Sequence, residues 1–308
     1  MEVVLLTGIL QSTIAMAVPL LLAALGELVA EKSGVINIGL EGMILAGAFA
    51  AMCATFLTSS PLFGLIAAWG SGLSLAALFA YVVVERGGNQ VVAGIAINLL
   101  AAGLTGVSHR AVFGITGAAL TVPGLEPLRL PRLADLPIVG PSLFSQTALG
   151  YAALLLVPGV AFVLHRTIRG LQLRMVGEAP HAALAQGVNP KLMQTVGVVV
   201  CGIFASTAGA YLAIAYARTF VEGMSAGRGF IALAIVIFGR WSPLGVLAGA
   251  LLFGFATALQ FHVQALGMNI PYQFALMMPY VLTLLVLAGY AGKVVAPAHL
   301  GLPLDADR

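Results

Sequence analysis

Charge is what this chain of 308 residues has least of: Asp, Glu, Lys and Arg together make up 8%, where a soluble domain carries about a quarter. A water-facing surface cannot be covered on that supply, so a soluble globular fold is excluded. Cysteine is scarce as well. Cys53 and Cys201 both sit in apolar stretches, and neither a disulfide framework nor a thiol metal site follows from them. The five histidines, His109, His165, His181, His262 and His299, are too far apart in sequence to suggest a metal set, and no His-Glu-x-x-His motif is present. A Gly-x-x-x-x-Gly-Lys-Ser/Thr phosphate loop is also missing. Gly289 to Val294 offers a Gly-Lys pair without the earlier glycine or the following hydroxyl, so hydrolysis of ATP by that route is excluded. Lys and Arg number 14 against 11 Asp and Glu, a net charge of +3 too scattered for a nucleic-acid footprint. Met1 to Leu10 lacks the basic start and small-residue cleavage site of a secretory signal, and the first hydrophobic stretch is expected to be retained.

What is present is hydrophobic. Apolar residues make up 60% of the chain and mean hydropathy is +1.05, with 37 glycines, which describes an all-α integral membrane protein. Crossing about 30 Å of hydrocarbon takes roughly 20 apolar residues in a helix. Nine stretches are candidates, for a count of eight to ten spans: 3–25, 35–57, 62–84, 90–108, 145–164, 192–213, 229–240, 243–261 and 272–290. The seventh is too short for a regular span and sits between glycines and Trp241-Ser242-Pro243, so a broken or re-entrant element is expected there. The densest basic cluster is Arg166, Arg169, Arg174 and Lys191 around Glu178, and the positive-inside rule turns segment 166–191 to the cytoplasm. Alternation then places the N-terminus outside, the C-terminus inside, and 109–144 as the largest outer loop.

A repeat is visible in the chain. Ser60-Pro61-Leu62-Phe63-Gly64-Leu65-Ile66-Ala67-Ala68 resembles Ser242-Pro243-Leu244-Gly245-Val246-Leu247-Ala248-Gly249-Ala250, and the two copies start on opposite sides. Halves of about 1–110 and 191–292 would then be inverted, as in transporters that alternate access around a midplane site. Ser-Pro is also simply a good helix start.

Polar side chains at membrane depth need a partner helix or a water-filled cavity. Asn37 and Glu41 lie four apart, on one face if their stretch is helical; they line a gate or cavity, or Glu41 reaches the interface near Lys32 and Ser33. Gln90, Gly94, Asn98 and Thr105 form one polar stripe, read as substrate path or as an interhelical hydrogen bond of about 1 kcal/mol. Gln273, Met277 and Tyr280 form a comparable stripe in the last span. Between Leu173 and Pro190, a short amphipathic helix is expected from Pro180 to Gln186, with Gly187 as its stop. It suits docking to a partner or lying on the membrane surface.

Three stretches carry a family resemblance: Gly34-Val35-Ile36-Asn37-Ile38-Gly39-Leu40-Glu41-Gly42-Met43, Val176-Gly177-Glu178-Ala179-Pro180-His181-Ala182-Ala183 and Gly227-Arg228-Gly229-Phe230-Ile231-Ala232-Leu233-Ala234. They resemble the signatures of permease subunits in the ABC importer family of the ribose, nucleoside and branched-chain amino acid systems. Glu31-Lys32-Ser33 before the first, and Asn89 to Leu100 after it, are most similar to the nucleoside, simple-sugar-like branch. The resemblance implies a type II importer bundle of about nine spans with inverted repeats and broken helices, the family's usual first span of ten being absent here. It also implies a second permease, a copy or a paralogue, two cytoplasmic ATPase subunits that bind ATP and Mg, and an extracytoplasmic binding protein, all in a bacterial inner membrane. Segment 174–190 becomes the coupling helix. Arg174, Gly177, Glu178, Ala182 and Gly187 match the family pattern, whereas Ala179 stands where Asn is frequent.

On this reading the chain forms the path for a nucleoside or a simple sugar such as ribose and needs no cofactor of its own. Asn37, Glu41, Gln90, Asn98, Gln273 and Tyr280 are the candidates for the path. Arg110, Arg129, Arg132, Arg218, Glu222 and Arg228 are candidate partners for the binding protein. The rival from another class is a stand-alone carrier coupled to protons or sodium through Glu41, which has no need of a docking helix at 174–190. A channel is disfavoured for want of a charged filter.

Overall fold

A computed structural model of the chain describes residues 2–114, 121–131, 133–136, 139–265, 277, 281 and 295–304. Its helices are α1 Glu2–Lys32, α2 Leu40–Thr58, α3 Pro61–Ala80, α4 Gln90–Phe113, α5 Val139–Leu143, α6 Ala148–Arg166, α7 Ile168–Glu178, α8 Pro180–Ala185, α9 Pro190–Ala210, α10 Arg228–Phe238 and α11 Pro243–Ala265. π-helical turns prolong α3 through Tyr81–Glu85 and α9 through Tyr211–Tyr216. Among the described residues seven helices are long and apolar enough to cross a membrane, and α10 is a shorter apolar one. The bundle is thus the helical membrane fold the composition predicts. Two short strands, β1 Pro127–Arg129 and β2 Ser145–Thr147, pair antiparallel with Leu128 opposite Gln146.

Several limits differ from those read off the sequence, each for a physical reason. The first span continues past residue 25 to Lys32, because Glu27 and Glu31 are enclosed at 0% and 2% exposure with hydrogen-bond donors beside them. Hydropathy penalises carboxylates whether or not they are partnered. The second helix starts at Leu40 rather than 35, since 33–39 are unwound. α4 reaches Phe113 rather than 108, and the 109–144 segment holds the end of α4, β1 and α5 instead of being loop throughout. The short seventh stretch forms α10, whose 11 residues extend about 16 Å. The ninth expected span, 272–290, lies outside the described residues apart from Met277 and Val281.

α1 is the enclosed axis, packed against α6, α9, α10 and α11, while α2, α3 and α9 pack on one another beside it. Small residues let these backbones approach. A methyl group at Gly47 would stand 2.5 Å from the Ser206 backbone, and one at Gly202 would stand 2.5 Å from the Ala76 methyl.

The two ends of the bundle differ in charge. At one end Lys191 pairs with Glu85 at 3.6 Å, near Lys32, Arg86, α7 and α8; this is the basic end. At the other, Arg110 pairs with Glu222 and Arg218 with Glu126, both at 3.5 Å. α3 starts at Pro61 at that second end and α11 starts at Pro243 at the basic end, so the two Ser-Pro copies begin helices that run in opposite directions.

Candidate functional site

The segment between α1 and α2 has no helix to satisfy its backbone, and side chains from two other elements do so instead. Glu27 accepts the Asn37 amide at 2.8 Å from within α1. From α4, Gln90 accepts the Ile36 amide at 2.7 Å, and the Asn98 side chain donates to the Ile38 carbonyl at 2.9 Å. The Asn98 carbonyl oxygen also accepts the Gly42 amide at 2.8 Å, supplying the cap that Gly39 cannot give α2. Gly94 lies between them because a methyl group there would stand 2.7 Å from the Gly39 nitrogen. The four-residue spacing of Gln90, Gly94 and Asn98 is therefore the contact row of α4 on an unwound chain.

Asn37 turns inward. Its amide group donates to Met43 Sδ and Cys201 Sγ, each at 3.3 Å, and Cys201 donates to Glu27 at 3.2 Å. Glu31, one turn beyond Glu27, accepts the Trp241 indole at the turn between α10 and α11. Glu27, Glu31, Cys201 and Trp241 were not among the site residues the sequence pointed to. The signal was there in a Glu pair four residues apart at the end of an apolar run.

Glu41 turns to the start of α10. Its two oxygens accept the amides of Gly227 and Gly229, at 2.8 and 2.7 Å, at the start of α10. A carboxylate there satisfies orphan donors and opposes the positive end of the helix dipole. The fit requires glycines: Gly227 has φ +79°, and a methyl group at Gly229 would stand 2.5 Å from the Glu41 nitrogen. Asn37 shares the level of Glu27, five residues above Lys32, and Glu41 is a turn further on, so the contact lies roughly 12 Å inside the basic end.

Arg228 follows Gly227 into this junction and donates to the Met224 and Ser225 carbonyls at 2.9 and 3.1 Å. It is half-buried at the mouth of α10 rather than displayed on an outer loop. Gly223-Met224-Ser225-Ala226-Gly227 just before it has the spacing of a nucleophile elbow. That elbow needs a strand leading into it, and here irregular chain does so.

The basic segment is built as two helices broken at Ala179. Gly177 abuts the end of α1, where a methyl group would stand 3.2 Å from the Gly34 nitrogen. The Gly177 carbonyl accepts the His299 amide at 2.9 Å, the Gly34 carbonyl accepts the Gly301 amide at 3.0 Å, and Glu178 accepts the Ala298 amide at 3.2 Å. α8 spans the residues expected of the short helix to within one. Ala183 is buried with Val176, Val188 and Met193, while His181, Ala182, Leu184 and Gln186 face out. Gly187, φ +78°, ends the helix. Beside Ala182 a depression of about 300 Å³ is lined by Leu171, Arg174, Met175 and Glu178, and the Arg174 Nε is buried without a hydrogen-bond partner among the described residues.

Of the remaining candidates, Arg110, Arg129 and Glu222 are exposed and Arg218 is half-buried, all at the end away from the basic segment. Arg132, Gln273 and Tyr280 lie outside the described residues. Among the described residues no three His, Cys, Asp or Glu gather as a metal set.

Among the described residues, seven long apolar helices, a half-length helix starting inside the bundle and an unwound link held by polar side chains describe a multi-pass membrane protein. The chain belongs to the branched-chain amino acid transport system / permease component family, whose model matches residues 9–287. It is 36% identical to a guanosine ABC transporter permease of Bacillus subtilis over 97% of this chain and 96% of that one. A nucleoside ABC transporter permease of Lactococcus lactis is also 36% identical, with 92% of each chain covered. A putative glucose ABC transporter permease of Haloferax volcanii is 39% identical over 85% of this chain and 79% of its own. Each of these organisms has a second permease, named for the same substrate, that is 25% to 27% identical to this chain. No solved structure matches it.

Proposed function

We propose that the chain is one of two permease subunits of an ATP-driven nucleoside importer. The observation that carries this is the 36% identity to a guanosine permease across nearly the full length of both chains. A hexose cargo is the second reading, favoured by the 39% identity to the putative glucose permease. The recurrence of a more distant permease beside each close relative supports a paralogue as the partner.

In this reading ATP and Mg belong to cytoplasmic ATPase subunits, and the basic end faces them in the inner membrane, with the N-terminus outside and the C-terminus inside. The outward face of α8, with Ala182 and Leu184, seats on the ATPase beside Arg174 and Glu178, and Gly187 sets where it stops. Displacement of α8 passes through Gly177 to the end of α1 and the 33–39 link, and through Glu41 to α10. Asn37, Glu41, Gln90 and Asn98 then shape the path by holding its walls, and cargo contact falls to Gln273 and Tyr280. A binding protein outside meets Arg110, Arg129, Arg132, Arg218 and Glu222. The halves 1–110 and 191–292 act as inverted repeats around this junction.

The test is uptake by proteoliposomes holding the chain with its ATPase, a second permease and the binding protein. Labelled guanosine should accumulate only with ATP and be displaced by other nucleosides but not by glucose. Glucose uptake in its place favours the second cargo, and uptake by this chain alone under an ion gradient overturns the ABC reading.

A further inference from the structure

A groove of about 740 Å³ opens on the surface of the bundle between α6, α7 and α9, with Val29 of α1 at its floor and Val163, Leu192 and Val196 exposed along it. Its lining is apolar apart from Arg169, which stands at the basic end. Along α9 it runs from Leu192 to Phe204, about 18 Å by helical rise, slightly more than half of the roughly 30 Å hydrocarbon layer. The groove is therefore one leaflet deep and opens at the surface of that leaflet. Arg166 and Arg169 are exposed there, and among the described residues Arg169 donates to Gln172 alone, at 3.3 Å. A second groove of about 550 Å³, between α1, α5 and α11, has no charged residue in its lining.

We propose that the first groove is a binding site for an anionic diacyl phospholipid. One acyl chain fills the channel beside Phe204, and the phosphate meets Arg166 and Arg169. Basic residues at the mouth of a helix-lined cleft recognise such headgroups, and the depth of the channel matches a chain that ends at the midplane. Gly170 and Leu173 of α7 belong to the groove wall, so the lipid would brace the helix that leads into α8. The proposal needs a membrane-spanning chain but neither a particular cargo nor the ATPase.

The measurement is native mass spectrometry of the full chain in detergent, titrated with phosphatidylglycerol or phosphatidylcholine. One phosphatidylglycerol should be retained in preference to phosphatidylcholine. Arg166→Gln with Arg169→Gln, both on the surface, should weaken retention roughly thirtyfold and remove the preference. Gly159→Phe should block either lipid, because Gly159 lines the groove and a methyl group there meets no atom within 4 Å, so the ring is directed into the channel. Leu251→Trp in the second groove should change nothing. Equal retention of the two lipids by the unmodified chain, or a preference that survives both the arginine and the Gly159 substitutions, overturns the site. So does loss of permease pairing in Gly159→Phe with lipid retention intact, which would make the groove a subunit contact.

Discussion

Each polar side chain on the α4 stripe has a backbone partner, and that decides what its removal costs. Asn98→Leu leaves the Ile38 carbonyl and the Gly42 amide unpaired, and at about 1 kcal/mol each the loss should be about 2 kcal/mol. Thermal unfolding in detergent measures it, and an unchanged midpoint would refute the clamping role. Glu41→Gln retains one oxygen for two amides, so one of Gly227 and Gly229 loses its acceptor and the favourable charge at the start of α10 disappears. The expected loss is about 1 to 3 kcal/mol. Gly229→Ala should be worse than either, since its methyl group must displace the α2 backbone. Differential scanning fluorimetry on the three variants gives the order directly.

Among the elements, α8 was the most legible in the sequence. Pro180 and Gly187 punctuate it, and the helix observed ends at Ala185. The broken span was legible too, since a helix of 11 residues between Gly227 and Trp241 cannot cross alone. The length of α1 and the unwinding of 33–39 were hidden, because both depend on partners remote in sequence: Trp241 for Glu31, Cys201 for Glu27, and Gln90 and Asn98 for the link. Asn37 and Glu41 were correctly singled out as costly in hydrocarbon, but a shared helical face was the wrong geometry for them. They flank a helix start, and one turns to Cys201 and the other to Gly227 and Gly229. At this scale the docking helix gives a clean test. Leu184 is 59% exposed, so Leu184→Asp should leave stability within about 0.5 kcal/mol while abolishing co-purification with the ATPase. Glu178→Arg should abolish uptake with membrane insertion intact, and uptake at the normal rate would count against coupling through this segment.

For the whole molecule, sidedness is the property that organises the rest. A cysteine at Gln186 should react with a membrane-impermeant maleimide only in inside-out vesicles, and one at Arg129 only in right-side-out cells. The background for that experiment needs Cys201→Ser rather than Cys201→Ala, so that Glu27 keeps a hydrogen-bond donor. The reverse labelling pattern would invert the topology and detach α8 from any cytoplasmic engine.

Residues 217–227 enter the bundle as irregular chain and only at Arg228 become α10. Non-helical backbone inside a bilayer persists only where protein or water surrounds it, so the insulation at this point is three turns thick instead of a full crossing. In the importer reading proposed above, a stroke that tips this short rod, pivoting where Gly227 and Gly229 rest on Glu41, opens the path at that thin point. The energy of each cycle can then go into a displacement of a few ångströms, with the long helices left standing.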